Sequence, residues 1–165
     1  MKKVMNLKSL LFCAMLVLTM SLNTVNEQAG ALDYLGHTID GSELTNEMES
    51  IGNYQSVTRS TYLHQGFVRI TNNGGGYVGI GAGTECNVTC GTVKLNVYLE
   101  RSSGSEDFYS YKKWENVDYN TSSLYLNQQV KVEKGYYYRL RGYHSCTKNG
   151  VLENGASRTD GIYIG

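Results

Sequence analysis

The chain has 165 residues, with 15 Lys and Arg balanced by 15 Asp and Glu, 19 Gly, 14 Tyr and no Pro. That length fits one domain of ordinary size. Balanced charge leaves no basic face for nucleic acid and no acidic tail, and a proline-free chain excludes collagen-like and polyproline segments.

Lys2, Lys3 and Lys8 precede an apolar run from Leu10 to Met20, after which polar residues lead to Ala29-Gly30-Ala31. A positive start, a short apolar stretch and small residues at the end are what signal peptidase reads, so residues 1–31 are expected to be a secretory signal peptide cut after Ala31. The run is shorter than the roughly 20 residues a membrane-spanning helix requires. Phe12 before Cys13 is not the small residue of a lipoprotein cleavage site. The expected product is therefore secreted and extracellular, without a stable membrane anchor. Losing three Lys and one Glu leaves it at a formal charge of −2.

Residues 32–58 hold Asp33, Asp40, Glu43, Glu47 and Glu49 and no Lys or Arg. Their few apolar side chains do not offset the entropy of ordering the segment, which predicts a flexible acidic leader, a tether or propeptide. A short helix over 42–50 is the alternative.

From Gly66 onward, short β-branched and aromatic segments alternate with Gly, Asn, Ser and Asp clusters. The clearest strand is 92–101, with Val93, Leu95, Val97 and Leu99 on one face and Lys94, Asn96, Tyr98 and Glu100 on the other. Further strands are predicted at 66–72, 76–84, 108–117, 123–132, 136–145 and 160–164. This number of strands in a domain of such length predicts an all-β fold, an antiparallel β-sandwich of about seven strands over residues 59–165, immunoglobulin- or fibronectin-like in architecture.

Two resemblances bear on this reading. The stretch VEKGYYYRLRGYHSCTKNGVLENGAS, residues 132–157, resembles the F strand and following hairpin of fibronectin type III domains through Gly135, Tyr138, Leu140, Gly142 and Gly150. Over residues 58–165, the segments TRSTYL, TECNVTC, VKLNVYLER, KKW, KGYYYRLRGYHS and TDGIYI are similar to small exported proteins of Gram-positive bacteria grouped as domain of unknown function 6147. That resemblance implies export and a compact β domain and supplies no activity.

Cys86, Cys90 and Cys146 follow the signal. If strands 92–101 and 136–145 are antiparallel neighbours, Cys90 lies near Cys146, so a Cys90–Cys146 disulfide is expected, with Cys86–Cys146 as the alternative and free thiols as a third possibility. His144 with the three cysteines would supply four zinc donors, but the spacing lacks the tight ligand pairs of structural zinc sites, so no metal is expected. A Cys/His nucleophile pair has no orienting third group or oxyanion hole. His37 and His64 read as solvated. Gly74 to Gly79 matches the dinucleotide fingerprint only as text, because a strand and not a helix follows; the glycines of GYVGIGAG instead allow a close backbone approach or a bulge. The scattered carboxylates show no catalytic pairing. No cofactor and no enzymatic activity are expected.

The aromatic residues remain. Alternation over 136–143 puts Tyr137, Arg139, Arg141 and Tyr143 on one face, a composition favoured at binding hot spots. The expected function is a secreted, non-catalytic module that binds a surface ligand, polysaccharide or protein, through this Tyr/Arg sheet face. The alternative is a self-associating structural component of the cell envelope or extracellular matrix.

Overall fold

The computed structural model describes residues 32–55 and 60–165, so the expected signal peptide lies outside the described residues. The described chain is all β. Its strands are β1 (Thr38–Ile39), β2 (Ser42–Thr45), β3 (Glu49–Gln55), β4 (Leu63–Asn72), β5 (Tyr77–Ser102), β6 (Tyr109–Lys131), β7 (Tyr136–Lys148), β8 (Val151–Arg158) and β9 (Gly161–Ile164). Among the described residues no helix is long and apolar enough to cross a membrane.

All nine strands belong to one mixed sheet that curls into a half-barrel, in the order β1-β2-β9-β7-β5-β4-β3, with β6 beside β5 and β8 beside β7. This differs from the expected antiparallel sandwich of separate short strands. The predicted strands 76–84 and 92–101 are two arms of β5, and 108–117 and 123–132 are two arms of β6. Polar residues at 85–91 and 118–122 do not turn the chain back; they bend it. Pairing between β5 and β6 slips between Glu85 and Cys90, where Ser123 and Thr121 stand opposite, and Asn120 takes a φ of 52°. An insertion of this kind increases twist and redirects a strand without ending it.

At that bend β5 exchanges partners. Its first arm pairs with β4 and its second with β7, while β6 runs along the opposite side throughout. The two arms of the sheet thereby enclose one core, which includes Val68, Ile70 and Ile80 from one side and Leu95, Val97, Leu99 and Leu140 from the other. The alternation predicted for 92–101 holds: Val93, Leu95, Val97 and Leu99 are fully buried. Burying each such side chain contributes about 1.5–3 kcal/mol. Close approach of β4 and β7 depends on glycine, since a methyl group at Gly66 would lie 2.3 Å from the His144 ring and one at Gly142 would lie 2.6 Å from Val68.

The described part of the acidic segment, 32–55, is ordered as well, against the expectation of a flexible leader. β3 pairs antiparallel with β4, β1 and β2 form a hairpin, and β2 pairs parallel with β9. Too apolar-poor to fold alone, the segment docks on surfaces built by the rest of the chain. Leu44 packs with Phe108, Tyr137 and Tyr163. Asp40 and Ser42 bind Arg139, and Glu49 pairs with Arg69.

Arg139 is almost fully buried and sits opposite Glu100 on β5, which is equally enclosed. Its Nε donates to Glu100 Oε2 at 2.8 Å, Nη1 donates to Ser42 Oγ at 2.9 Å and to the Asp40 carbonyl at 3.1 Å, and Nη2 meets the Asp40 carboxylate. The guanidinium carbon lies 4.1 Å from the centre of the Phe108 ring. Removing one member of a buried pair strands the other, at a typical cost of about 3–5 kcal/mol. Arg139→Ala is expected to lose stability on that scale in urea denaturation, and Arg141→Ala, whose half-exposed guanidinium also reaches Glu100, is expected to lose less. Equal losses would contradict this ranking.

Candidate functional site

The alternation read for β7 is present: Tyr137, Arg139, Arg141 and Tyr143 share the outer face of the sheet. They are not jointly accessible. The hairpin of β1 and β2 and the Phe108 ring cover Tyr137 and Arg139, leaving Arg141 half-buried and Tyr143 exposed. The covering chain is the segment expected to be a loose leader, which is why the sequence reading left this half of the face open. Tyr98 joins the remainder, with its ring edge-on to Tyr143 at 5.7 Å and the Arg141 guanidinium 6.0 Å from its centre. Trp114 is partly buried against the core and has the Lys112 ammonium 5.6 Å from its ring.

A more strongly shaped surface lies on the outer face of the other arm. In GYVGIGAG the residues Val78, Ile80 and Ala82 point into the core, so Gly79, Gly81 and Gly83 face outward. Register places each outward glycine between two side chains: Phe67–Gly83–Tyr125, Arg69–Gly81–Asn127 and Thr71–Gly79–Gln129, from β4, β5 and β6 respectively. Gly79 and Gly81 floor a trough between the two walled columns, with a volume near 780 Å³, whereas Gly83 is buried beneath the Phe67 and Tyr125 rings. The two open rows lie about 7 Å apart along the strands.

The walls differ along their length. Phe67 and Tyr125 close one end with ring centres 6.4 Å apart, and a methyl group on Gly83 would come within 2.4 Å of the Phe67 ring, so this glycine seats the aromatic pair. Tyr125 Oη donates to Glu85 Oε1 at 2.8 Å, and Gln65 Nε2 donates to Glu85 Oε2 at 2.7 Å. The tyrosine is held in place, and the Glu85 hydrogen bond raises its pKa. Arg69 and Asn127 form the middle, with Arg69 oriented by Glu49. Asn73, Thr71 and Gln129 line the far end. Amide, guanidinium and hydroxyl groups can donate and accept together, which suits a ligand rich in hydroxyls.

A third cluster occupies the bend. Cys86, Cys90 and Cys146 meet there with every sulfur within 4.8 Å of the others, although each is a free thiol. Neither the expected Cys90–Cys146 disulfide nor the alternative Cys86–Cys146 is formed. Strand adjacency does bring the residues together, since Cys146 stands opposite Val93, but its pleat and that of the bent segment hold the sulfurs short of bonding distance. Burial pushes the Cys86 thiol up to about 11 and Cys146 higher still.

His144 does not belong to that cluster. Its Nδ1 lies 2.9 Å from Thr84 Oγ1 and its Nε2 2.7 Å from Ser157 Oγ. Burial lowers its pKa to about 4, so the ring is neutral at ordinary pH. All three partners are sealed from solvent, and the hydroxyl–imidazole contact ties strands together without offering a substrate an approach. His37 and His64 are exposed, and His37 stands edge-on to Tyr34.

An all-β half-barrel with a polar trough on one arm and a thiol cluster at its bend is the class of protein these features define. The chain matches the family of unknown function (DUF6147) over residues 34–161 and belongs to that family. The matched region begins before β1, so it includes the docked acidic segment. No curated protein is matched by the chain.

Glu153 secures the entry to β4 beside the thiols. Its carboxylate accepts from Ser60 Oγ and from the backbone N–H groups of Thr61, Tyr62 and Leu63. Desolvation acts to raise its pKa, but those four hydrogen bonds outweigh it and bring the value down to about 2. A carboxylate depressed in the folded state stabilises fully above its unfolded value near 4.5 and loses that contribution as pH falls toward 2. Between pH 4.5 and 2 the native chain is expected to lose stability more steeply than Glu153→Gln in parallel denaturant titrations. Identical slopes would remove Glu153 from this role.

Proposed function

We propose that this chain is a secreted, non-catalytic binding module that takes a segment of extracellular polysaccharide along the glycine-floored trough. The observation that carries the reading is the register itself, with Gly79 and Gly81 set between an Arg-bearing column and an amide-bearing column, and the Phe67/Tyr125 pair over Gly83 closing one end. Glycines let a ligand approach the backbone closely, aromatic rings offer flat apolar faces, and Arg69 with Asn73, Asn127 and Gln129 presents hydrogen-bonding groups to hydroxyls. The surface ligand expected from the sequence is retained in this reading, but its seat moves from the largely covered Tyr137/Arg139 face to the opposite arm. Export rests on the pattern from Lys2 to Ala31.

Self-association as an envelope or matrix component is the second reading. It is favoured by β6, a 23-residue strand that, among the described residues, pairs only with β5. A long unpaired edge is a template for another strand.

Gly81→Val separates the two. A methyl group at Gly81 would meet nothing closer than 3.7 Å, so the larger side chain fills the trough while the strand accommodates it. On a polysaccharide and peptidoglycan-fragment array, the native chain is expected to bind. Gly81→Val and Arg69→Ala are each expected to bind at least about tenfold more weakly with unchanged circular dichroism, and Tyr143→Ala is expected to bind normally. Binding that survives Gly81→Val would overturn the site. No binding by the native chain, with sedimentation that grows with concentration, would transfer the reading to self-association.

A further inference from the structure

Cys86 and Cys90 flank the bulge at which β5 bends, and Cys146 arrives from β7, its neighbour beyond the bend. The three sulfurs form a compact group no wider than 4.8 Å. Thiolates bonded to one ion at about 2.3 Å stand about 4 Å apart in a trigonal arrangement, so small rotamer adjustments bring the group to bonding geometry. Cys90 and Cys146 are buried, and Cys86 is partly open to solvent, which gives an ion a way in and the displaced protons a way out. Leu63, Val93 and Leu124 pack around the group, and the Cys90 thiol donates to the Val88 carbonyl at 3.4 Å.

We propose that Cys86, Cys90 and Cys146 are a three-thiolate site for a soft, monovalent metal ion of the Cu(I) class. Ligand type and number select the ion. The side-chain donors it gathers are sulfur alone: both His144 nitrogens are hydrogen-bonded to Thr84 and Ser157, and the Glu153 carboxylate is occupied by Ser60 and the N–H groups that follow it. Structural Zn²⁺ sites close with four ligands, and Ca²⁺ and Mg²⁺ require oxygen, whereas soft thiolates select Cu(I). Binding changes no oxidation state. Each ligating thiol releases one proton to solvent, and its sulfur lone pair forms the bond to an ion supplied as Cu(I). The ion would join β5 to β7 at the corner where the sheet changes direction. Loose sequence spacing argued against metal because the measure it used, separation along the chain, ignores the bend that brings Cys86 and Cys90 together.

The test is an anaerobic titration of the reduced full chain, carrying Cys13→Ser so that only the three thiols remain, with Cu(I) held by the competing chelator bicinchoninate. Native mass spectrometry is expected to show one copper per chain, and thermal unfolding is expected to shift upward on loading. Cys86→Ser, at the partly exposed position where folding is least at risk, is expected to weaken copper retention by at least about tenfold; Cys90→Ser and Cys146→Ser are expected to do the same. Retention unchanged in Cys86→Ser, or no copper held by the native trio, would overturn the proposal. A chain that takes up no copper but loses two mass units in air would assign the cysteines to a disulfide, and equal retention of Zn²⁺ in competition would overturn the choice of ion.

Discussion

A single buried guanidinium organises one end of this molecule. Arg139 points from β7 to the outer face of the sheet and yet is sealed from water, a position that costs several kcal/mol unless every donor finds an acceptor. Glu100, directly opposite on β5, supplies the compensating charge. It cannot occupy the whole fork. Asp40 and Ser42 complete it, and in doing so they draw the chain before β3 over the sheet, where Leu44 enters the aromatic cluster of Phe108, Tyr137 and Tyr163. The hairpin of β1 and β2, its pairing with β9 and the concealment of half the Tyr/Arg face all follow from that coordination.

The pleat was legible in the sequence, and the path was not. Alternation identified the inner face of 92–101 without error because apolar and polar residues there repeat with period two, and it placed the four β7 side chains on their shared face. Composition cannot separate a bend from a turn, however, since Asn, Thr, Ser and Gly serve both. The stretch 85–91 therefore reads as a loop between strands when it is a bulge within one. The opposite error occurs between the predicted strands 136–145 and 160–164, where only Asn149 and Gly150, both at positive φ, form the turn and 151–158 is the strand β8. A two-residue Asn-Gly connection is the strongest local signal for a hairpin, and reading it as such would have recovered that strand. The acidic segment was misread for a different reason: its order depends on Arg139, Arg69 and the edge of β4, none of which is local to it.

The trough was half visible. Strict alternation of Gly with Val, Ile and Ala over 78–83 already implies a bare outward column, and the sequence does suggest a close backbone approach there. Which side chains flank it depends on register with β4 and β6, and that is set by long-range pairing. The thiol cluster shows the same division. Neighbouring strands predict that Cys90 and Cys146 approach one another, but whether sulfurs meet as a bonded pair or as an open trio is decided by the direction of each Cβ at the bulge.

The parallel pairing of Leu44 and Thr45 with Gly161 and Ile162 joins the first strands of the described chain to the last. Synthesis makes the two at opposite times. Until residues 161–164 exist, β2 has no partner on that side and the cover over Tyr137 has no frame, so this part of the sheet forms only after β9 has been made. Its contacts span more than a hundred residues, a topology whose loop-closure entropy slows folding. Pairings between strands consecutive in sequence, such as β3 with β4 and β5 with β6, need no such wait, so the seam of β2 and β9 closes a sheet whose other strands have partners nearer to hand.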